Sequence, residues 1–198
     1  MKTESDSIKF LNRTINNNLV LIFDLDGTLV DTDEANFLSY KDAIKIIMKI
    51  DINLSPYPQQ RFTRKLLKQI IPRLSDNKYH QIIELKNKLF DKYLDKTKLN
   101  SIIVEILKKY RDINTLILST NSHKERAIKV LMFHNLFDKF NYKFYKDDII
   151  YKKDMNKYKY VIIENQILPN QMVIFENEEL EINNALSLGI LPKNIIRI

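Results

Sequence analysis

The sequence predicts an α/β fold, a doubly wound parallel sheet with an α-helical block inserted near its start. Three observations predict it. From residue 115 onward short apolar runs alternate with helical patterns, as in strands joined by crossover helices. Residues 33–110 carry helical periodicity with nothing strand-like between them. The first apolar run, Leu21-Ile22-Phe23, ends in two aspartates one residue apart, Asp24 and Asp26, and then Gly27.

The elements follow in order. Residues 1–18 are polar, end in Asn16-Asn17-Asn18, and read as an N-terminal arm; a first strand covers 19–24. Phe37, Tyr40, Ile44 and Ile47 recur at helical spacing, and Ser55-Pro56-Tyr57-Pro58 breaks that helix. Phe62, Leu66 and Ile70 mark a second helix, stopped at Pro72; Ile82, Leu85, Leu89 and Tyr93 mark a third. Leu99, Ile102, Ile103, Ile106, Leu107 and Tyr110 mark a fourth. A strand at 115–119 ends in Thr120-Asn121, a helix carries Ala127, Val130 and Leu131, and an aromatic stretch runs over 140–145. A helix through Tyr160, Val161 and Ile163, a strand at 172–175, a helix over 180–188 and a strand at 194–198 complete the chain. The expected division is an arm at 1–18, a core of 19–32 and 96–198, and a helical cap at 33–95.

Composition narrows the class. With 198 residues, 44% apolar and 29% charged, the chain can bury a core as an ordinary globular protein. No apolar run approaches the ~20 residues of a membrane span, so no membrane partner is expected. Residues 1–7 lack the apolar stretch of a signal peptide. Without cysteine there is no disulfide framework or thiolate metal site, and a cytoplasmic location is expected. The net charge is +7, but the lysines are spread along the chain. Abundant Lys, Asn, Ile and Tyr beside scarce Gly read as the bias of AT-rich coding DNA rather than as nucleic-acid binding.

The chemistry-bearing feature is the end of the first strand. Residues i and i+2 of a strand face the same way, so Asp24 and Asp26 converge. Carboxylates that close require a cation, a shared proton, or both. A hard divalent ion such as Mg2+ suits all-oxygen ligands. Gly27 permits a sharp turn, in a chain whose only other glycine is Gly189. In open α/β sheets this C-terminal edge is where ligands bind.

Asp24-Leu25-Asp26-Gly27-Thr28-Leu29-Val30-Asp31-Thr32 resembles the first motif of the haloacid dehalogenase superfamily, in the form its phosphatases carry. Three further motifs agree in order. Leu116-Ile117-Leu118-Ser119-Thr120-Asn121 is similar to the second, an apolar strand ending in a phosphate-binding hydroxyl; it also suits a helix N-cap. The third is a lysine: the family register laid ungapped on this chain falls on Lys152, Tyr158 and Pro169, with Lys153 as a surface neighbour. The fourth falls on Phe175-Glu176-Asn177-Glu178, followed by Asn184 to Ile190 with Gly189 in the expected place. Asn177 stands where the family has Asp, and Glu176, Glu178 or Glu181 is expected to restore the charge. The resemblance covers 19–198, and the helical insertion resembles the cap of the phosphoglycolate phosphatase and β-phosphoglucomutase branch, over a Rossmann-like core.

The resemblance implies a Mg2+-dependent phosphatase for a small phosphorylated metabolite. Asp24 would be the nucleophile that forms an aspartyl-phosphate, and Asp26 the general acid and base. Asp26 also argues against a dehalogenase, which needs no such proton donor. Thr120, Asn121 and Lys152 would hold phosphate oxygens; Asp24, Asp26 through its carbonyl, Glu176 and Asn177 would hold Mg2+. A phosphomutase shares these residues, and a catalytically weakened binding protein would explain Asn177. His80, His123 and His134 are scattered, and Arg61, Arg64 and Lys65 read as a solvated helix face.

Overall fold

The computed structural model describes residues 15–50 and 61–198. The Ser55-Pro56-Tyr57-Pro58 break and most of the 1–18 arm lie outside the described residues. Contacts divide the chain into two compact units, one holding the described residues up to Val30 with Leu99–Ile198, the other Asp31–Lys98.

The first unit is built on a five-stranded sheet of β1 (Val20–Phe23), β4 (Thr115–Ser119), β5 (Tyr142–Phe144), β6 (Met172–Glu176) and β7 (Ile195–Arg197). Its order is β5-β4-β1-β6-β7 with every pairing parallel. The chain steps outward from β1 to β4 and β5, then returns to β6 and β7 on the other side. The order therefore reverses at β1, and the C-terminal end of β1 is the switch point where such sheets bind ligands. Strands buried on both faces read as continuous apolar runs, and β1 does.

Register fixes the layers. Ile22 pairs with Ile117 on one side and Ile174 on the other, a row across the sheet. That row is packed in one buried cluster with Tyr158 and Val161 of α7 (Lys157–Asn165) and Ile182 and Ala185 of α8 (Glu179–Ser187). Phe23 and Phe175, paired across β1 and β6, stack at 4.5 Å between ring centroids. The remaining helices of this unit are α4 (Ser101–Tyr110), α5 (Lys124–Phe133) and the single turn α6 (Lys146–Ile149).

The second unit is helical: α1 (Asp33–Met48), α2 (Arg64–Ile70), α3 (Asp76–Leu89) and a 3-10 segment, Phe90–Lys96. Tyr40, Ala43, Ile44, Phe62, Leu67 and Ile82 form its buried core. Thr63 and Ser75 cap α2 and α3 by accepting from the N–H groups of Leu66 and Lys78. A two-stranded ribbon, β2 (Val30–Asp31) with β3 (Lys98–Leu99), lies where the chain passes between the units.

Two local expectations differ from what is seen. The period that includes Leu99 overextends the fourth helix: Leu99 is in β3, and the helix begins at Ser101 because the Asn100 side chain caps it. The third helix stops at Leu89, with Tyr93 at the non-helical φ of −117°. The aromatic stretch holds an edge strand, β5, whose 3.6-period and 2-period readings are indistinguishable at three residues.

Candidate active site

Asp24 extends the β1–β6 pairing by one hydrogen bond, its N–H donating to the Phe175 carbonyl at 3.1 Å. Asp24, Leu25 and Asp26 are all buried, and Asp26 lies near enough for its charge to act on Asp24. The turn closes by bonds from Leu29 and Val30 N–H to the Leu25 carbonyl and from Gly27 N–H to Val30. Gly27 has φ +87°, and a Cβ there would collide with the Asn177 amide. Glycine is thus required twice over, by conformation and by space.

Asp24 Oδ1 accepts from Lys157 Nζ at 2.7 Å, and the same ammonium reaches Glu176 Oε2 at 2.6 Å. Lys157 is the first residue of α7 and only 3% exposed. A cation at a helix N-terminus opposes the helix dipole, and two buried carboxylates offset this. Asn156 caps the helix through the N–H groups of Tyr158 and Lys159, and Ser119 donates to the Lys157 carbonyl at 3.3 Å. Burial is the largest influence on Asp24 and, with Glu176 and Asp26 beside it, raises its pKa to about 7 against the pull of Lys157. Burial works against the Lys157 charge too, but Asp24 and Glu176 outweigh it and hold its pKa above the ordinary value. The Tyr158 hydroxyl donates to Glu176 Oε2 at 2.6 Å, and burial followed by that carboxylate pushes its pKa well up.

Lys157, and not Lys152, is the lysine at this site. Lys152 is 43% exposed, 3.5 Å from Glu164 and stacked over the Tyr160 ring. The intervening chain turns, with Lys152 N–H bonded to Ile149 and Asp154 left-handed at φ +53°, so the family spacing does not carry across it. A signal for Lys157 existed: it lies four residues before Val161, on the buried face of its helix.

Glu176 is also not the metal ligand that charge counting favoured. Its Oε2 accepts from Lys157 and Tyr158, and its Oε1 from the N–H groups of Asn177 and Glu178 at 2.9 Å each. Four donors fill a carboxylate. Glu181 is likewise engaged, by the amides of Asn121 at 3.0 Å and Asn184 at 3.3 Å. That contact ties the Asn121 side-chain amide to α8.

Thr120 is buried at the end of β4; its N–H donates to Phe144 and its Oγ1 accepts from Ser122 N–H at 3.1 Å. Asp26 Oδ2 accepts from the Ser122 hydroxyl and from the Arg126 guanidinium. Neither residue was legible in the sequence, where Ser122 is a turn residue and Arg126 one of many basic positions. The inward atom of the Asn177 amide lies 3.3 Å from the Asp26 carbonyl oxygen and 3.2 Å from Thr28 Oγ1. Glu176 Oε1 is 3.2 Å from it too, and as nitrogen that atom donates to all three oxygens.

Among the described residues, no group of three or more His, Asp, Glu or Cys side chains is disposed to hold a metal. No described helix is long and apolar enough to cross a membrane.

Known proteins agree with this architecture. The family profile of haloacid dehalogenase-like hydrolases matches residues 21–191. The fold is similar to a haloacid dehalogenase superfamily hydrolase, subfamily IA, from Geobacter sulfurreducens, with TM-score 0.69, 16% identity and 92% of each chain covered. It is similar to CbbY from Rhodobacter sphaeroides, solved with phosphate, with TM-score 0.68, 18% identity, and 86% of this chain and 83% of that one covered. A predicted phosphoglycolate phosphatase from Haemophilus somnus gives TM-score 0.69 at 18% identity, covering 88% of this chain and 84% of that one. No protein with a curated description matches the sequence.

Proposed function

The chain belongs to the haloacid dehalogenase-like hydrolase family, and from that premise we propose that it is a phosphatase for small phosphorylated metabolites. The observation that carries the proposal is the Lys157 ammonium held between Asp24 and Glu176 at the switch point of the sheet. It places a fixed positive charge beside a buried carboxylate, where an anionic phosphate must approach a nucleophile. Thr120 adds a hydroxyl at the adjacent strand end.

In the first step an Asp24 oxygen bonds to phosphorus as the ester P–O bond breaks, and Asp26 gives its proton to the departing oxygen. In the second, water loses a proton to Asp26 and bonds to phosphorus as the Asp24–phosphorus bond breaks, releasing phosphate. Lys157 offsets charge throughout and keeps part of the Asp24 population ionised against its burial.

The donors around Asp24 fit Mg2+ in kind. They are hard oxygens, the Asp24 carboxylate and the Asp26 carbonyl, and the Asn177 amide would add its oxygen only by turning from the acceptors its nitrogen serves. Mg2+ is commonly held by one or two carboxylates, with water and substrate phosphate completing the shell. Bound there, it would neutralise charge on the phosphoryl group. With one carboxylate in the set, the ion is expected to bind weakly until a phosphate joins it.

Hydrolysis of an aryl phosphate with and without Mg2+, followed by a panel of phosphorylated metabolites, tests this. Phosphate release that requires Asp24 supports it. Failure to release phosphate from any ester in Mg2+ would overturn it.

A further inference from the structure

We propose that Ser122 and Arg126 form a positioning clamp that fixes the Asp26 carboxyl group for proton transfer. The clamp rests on the phosphatase reading for its catalytic meaning, but its geometry stands alone. Asp26 Oδ2 receives both the Ser122 hydroxyl and an Arg126 guanidinium nitrogen, and that nitrogen also reaches Ser122 Oγ. The three groups close a triangle around one oxygen.

Each member is itself held. Ser122 N–H is tied to Thr120 Oγ1 at 3.1 Å, and the Ser122 carbonyl accepts from Lys146 N–H at 3.0 Å. Arg126 lies in the first turn of α5, and Ser122 precedes the His123 N-cap, so the turn into the helix brings the two side chains together. The turn that presents Thr120 therefore also aims Asp26.

A carboxyl group gripped through one oxygen keeps its other oxygen in a set direction. Pre-set geometry of this kind supplies much of the efficiency of a proton donor. The guanidinium also stabilises the carboxylate left when the proton goes to the departing ester oxygen. No bond changes on Arg126 or Ser122 themselves. The help should matter most where the leaving oxygen most needs a proton, as in an alkyl phosphate, and least for a nitrophenolate that departs unaided.

The test compares Arg126→Gln, Arg126→Lys and Ser122→Ala with wild type on p-nitrophenyl phosphate and on an alkyl phosphate. Arg126→Gln should lower the single-turnover rate of leaving-group release about 10- to 100-fold for the alkyl ester and less than about threefold for p-nitrophenyl phosphate, since the second step is common to both esters. KM should change little, and Arg126→Lys should recover part of the loss. Equal losses on both esters would overturn the clamp as a positioning device, as would no loss. A melting-temperature cycle with Asp26→Asn reads the contact without any turnover. Arg126→Gln should lower the melting temperature by about 2–4 °C in wild type and by about 1 °C or less beside Asp26→Asn. Equal shifts in both backgrounds overturn the clamp. An inert wild type with unequal shifts would instead overturn the phosphatase reading and leave the clamp in place.

Discussion

Asp24 and Asp26 are neighbours on one turn, yet their cations differ in kind. Lys157 is 3% exposed and shared between Asp24 and Glu176, with Tyr158 closing the set. Arg126 is 18% exposed, comes from the flank of α5, and grips Asp26 with Ser122. Withdrawing Lys157 would strand two buried carboxylates, whereas withdrawing Arg126 would leave one, still bonded to the Ser122 hydroxyl. The Asp24 corner thus rests on one cation shared by two carboxylates, and the Asp26 corner on a cation and a hydroxyl that share one carboxylate oxygen.

The largest effect is expected from Asp24→Asn. An amide does not form the phosphoryl-enzyme, so turnover should fall at least about 100-fold with the fold intact, read by kinetics and melting together. Lys157→Met comes next and should cost about 3–5 kcal/mol, the range for breaking a buried ion pair. Its pH dependence has a definite sign. Burial already raises the Asp24 pKa to about 7, and Lys157 is the main influence opposing it. Without the lysine that pKa rises further. A carboxyl group whose pKa is raised by folding keeps its stability below the unfolded value and loses it as pH climbs through the folded one. The melting deficit of Lys157→Met should therefore be greater at about pH 8 than at about pH 5. Lys152→Met, five residues earlier and exposed, should change stability by less than about 0.5 kcal/mol.

A smaller effect sharpens the Asp24 corner. Asn177→Asp adds a charged ligand beside the Asp26 carbonyl and should lower the Mg2+ concentration for half-maximal binding by roughly tenfold, read by calorimetry. Glu176→Gln should change Mg2+ binding less, because both Glu176 oxygens are already taken by Lys157, Tyr158 and two backbone N–H groups.

Much of the architecture was legible. The buried strands announced themselves as apolar runs, and β1 and β6 end at the acids the sequence singles out. The positions of Asp24, Asp26 and Thr120 at strand ends follow from a period of two and a turn glycine, both local signals. The lysine did not follow, because the turn between Lys152 and Lys157 breaks the register that spacing assumes. The grip of Ser122 and Arg126 on Asp26 joins residues 96 and 100 positions apart, and no local pattern encodes such a pairing. The bonds that fill Glu176 and tie Asn121 escape local pattern for the same reason, since their partners Tyr158, Lys157 and Glu181 arrive only when the sheet assembles.

The most direct measurement is to trap phosphate on the protein. Wild type and Asp26→Asn are mixed with p-nitrophenyl phosphate and Mg2+, quenched in acid, and mapped by peptide mass spectrometry. The good leaving group lets the first step proceed without the proton, while loss of the base slows the second. A phosphoryl group on Asp24, more abundant in Asp26→Asn than in wild type, is the expected result. Release of nitrophenol with no phosphoryl group on Asp24 in either protein would contradict it.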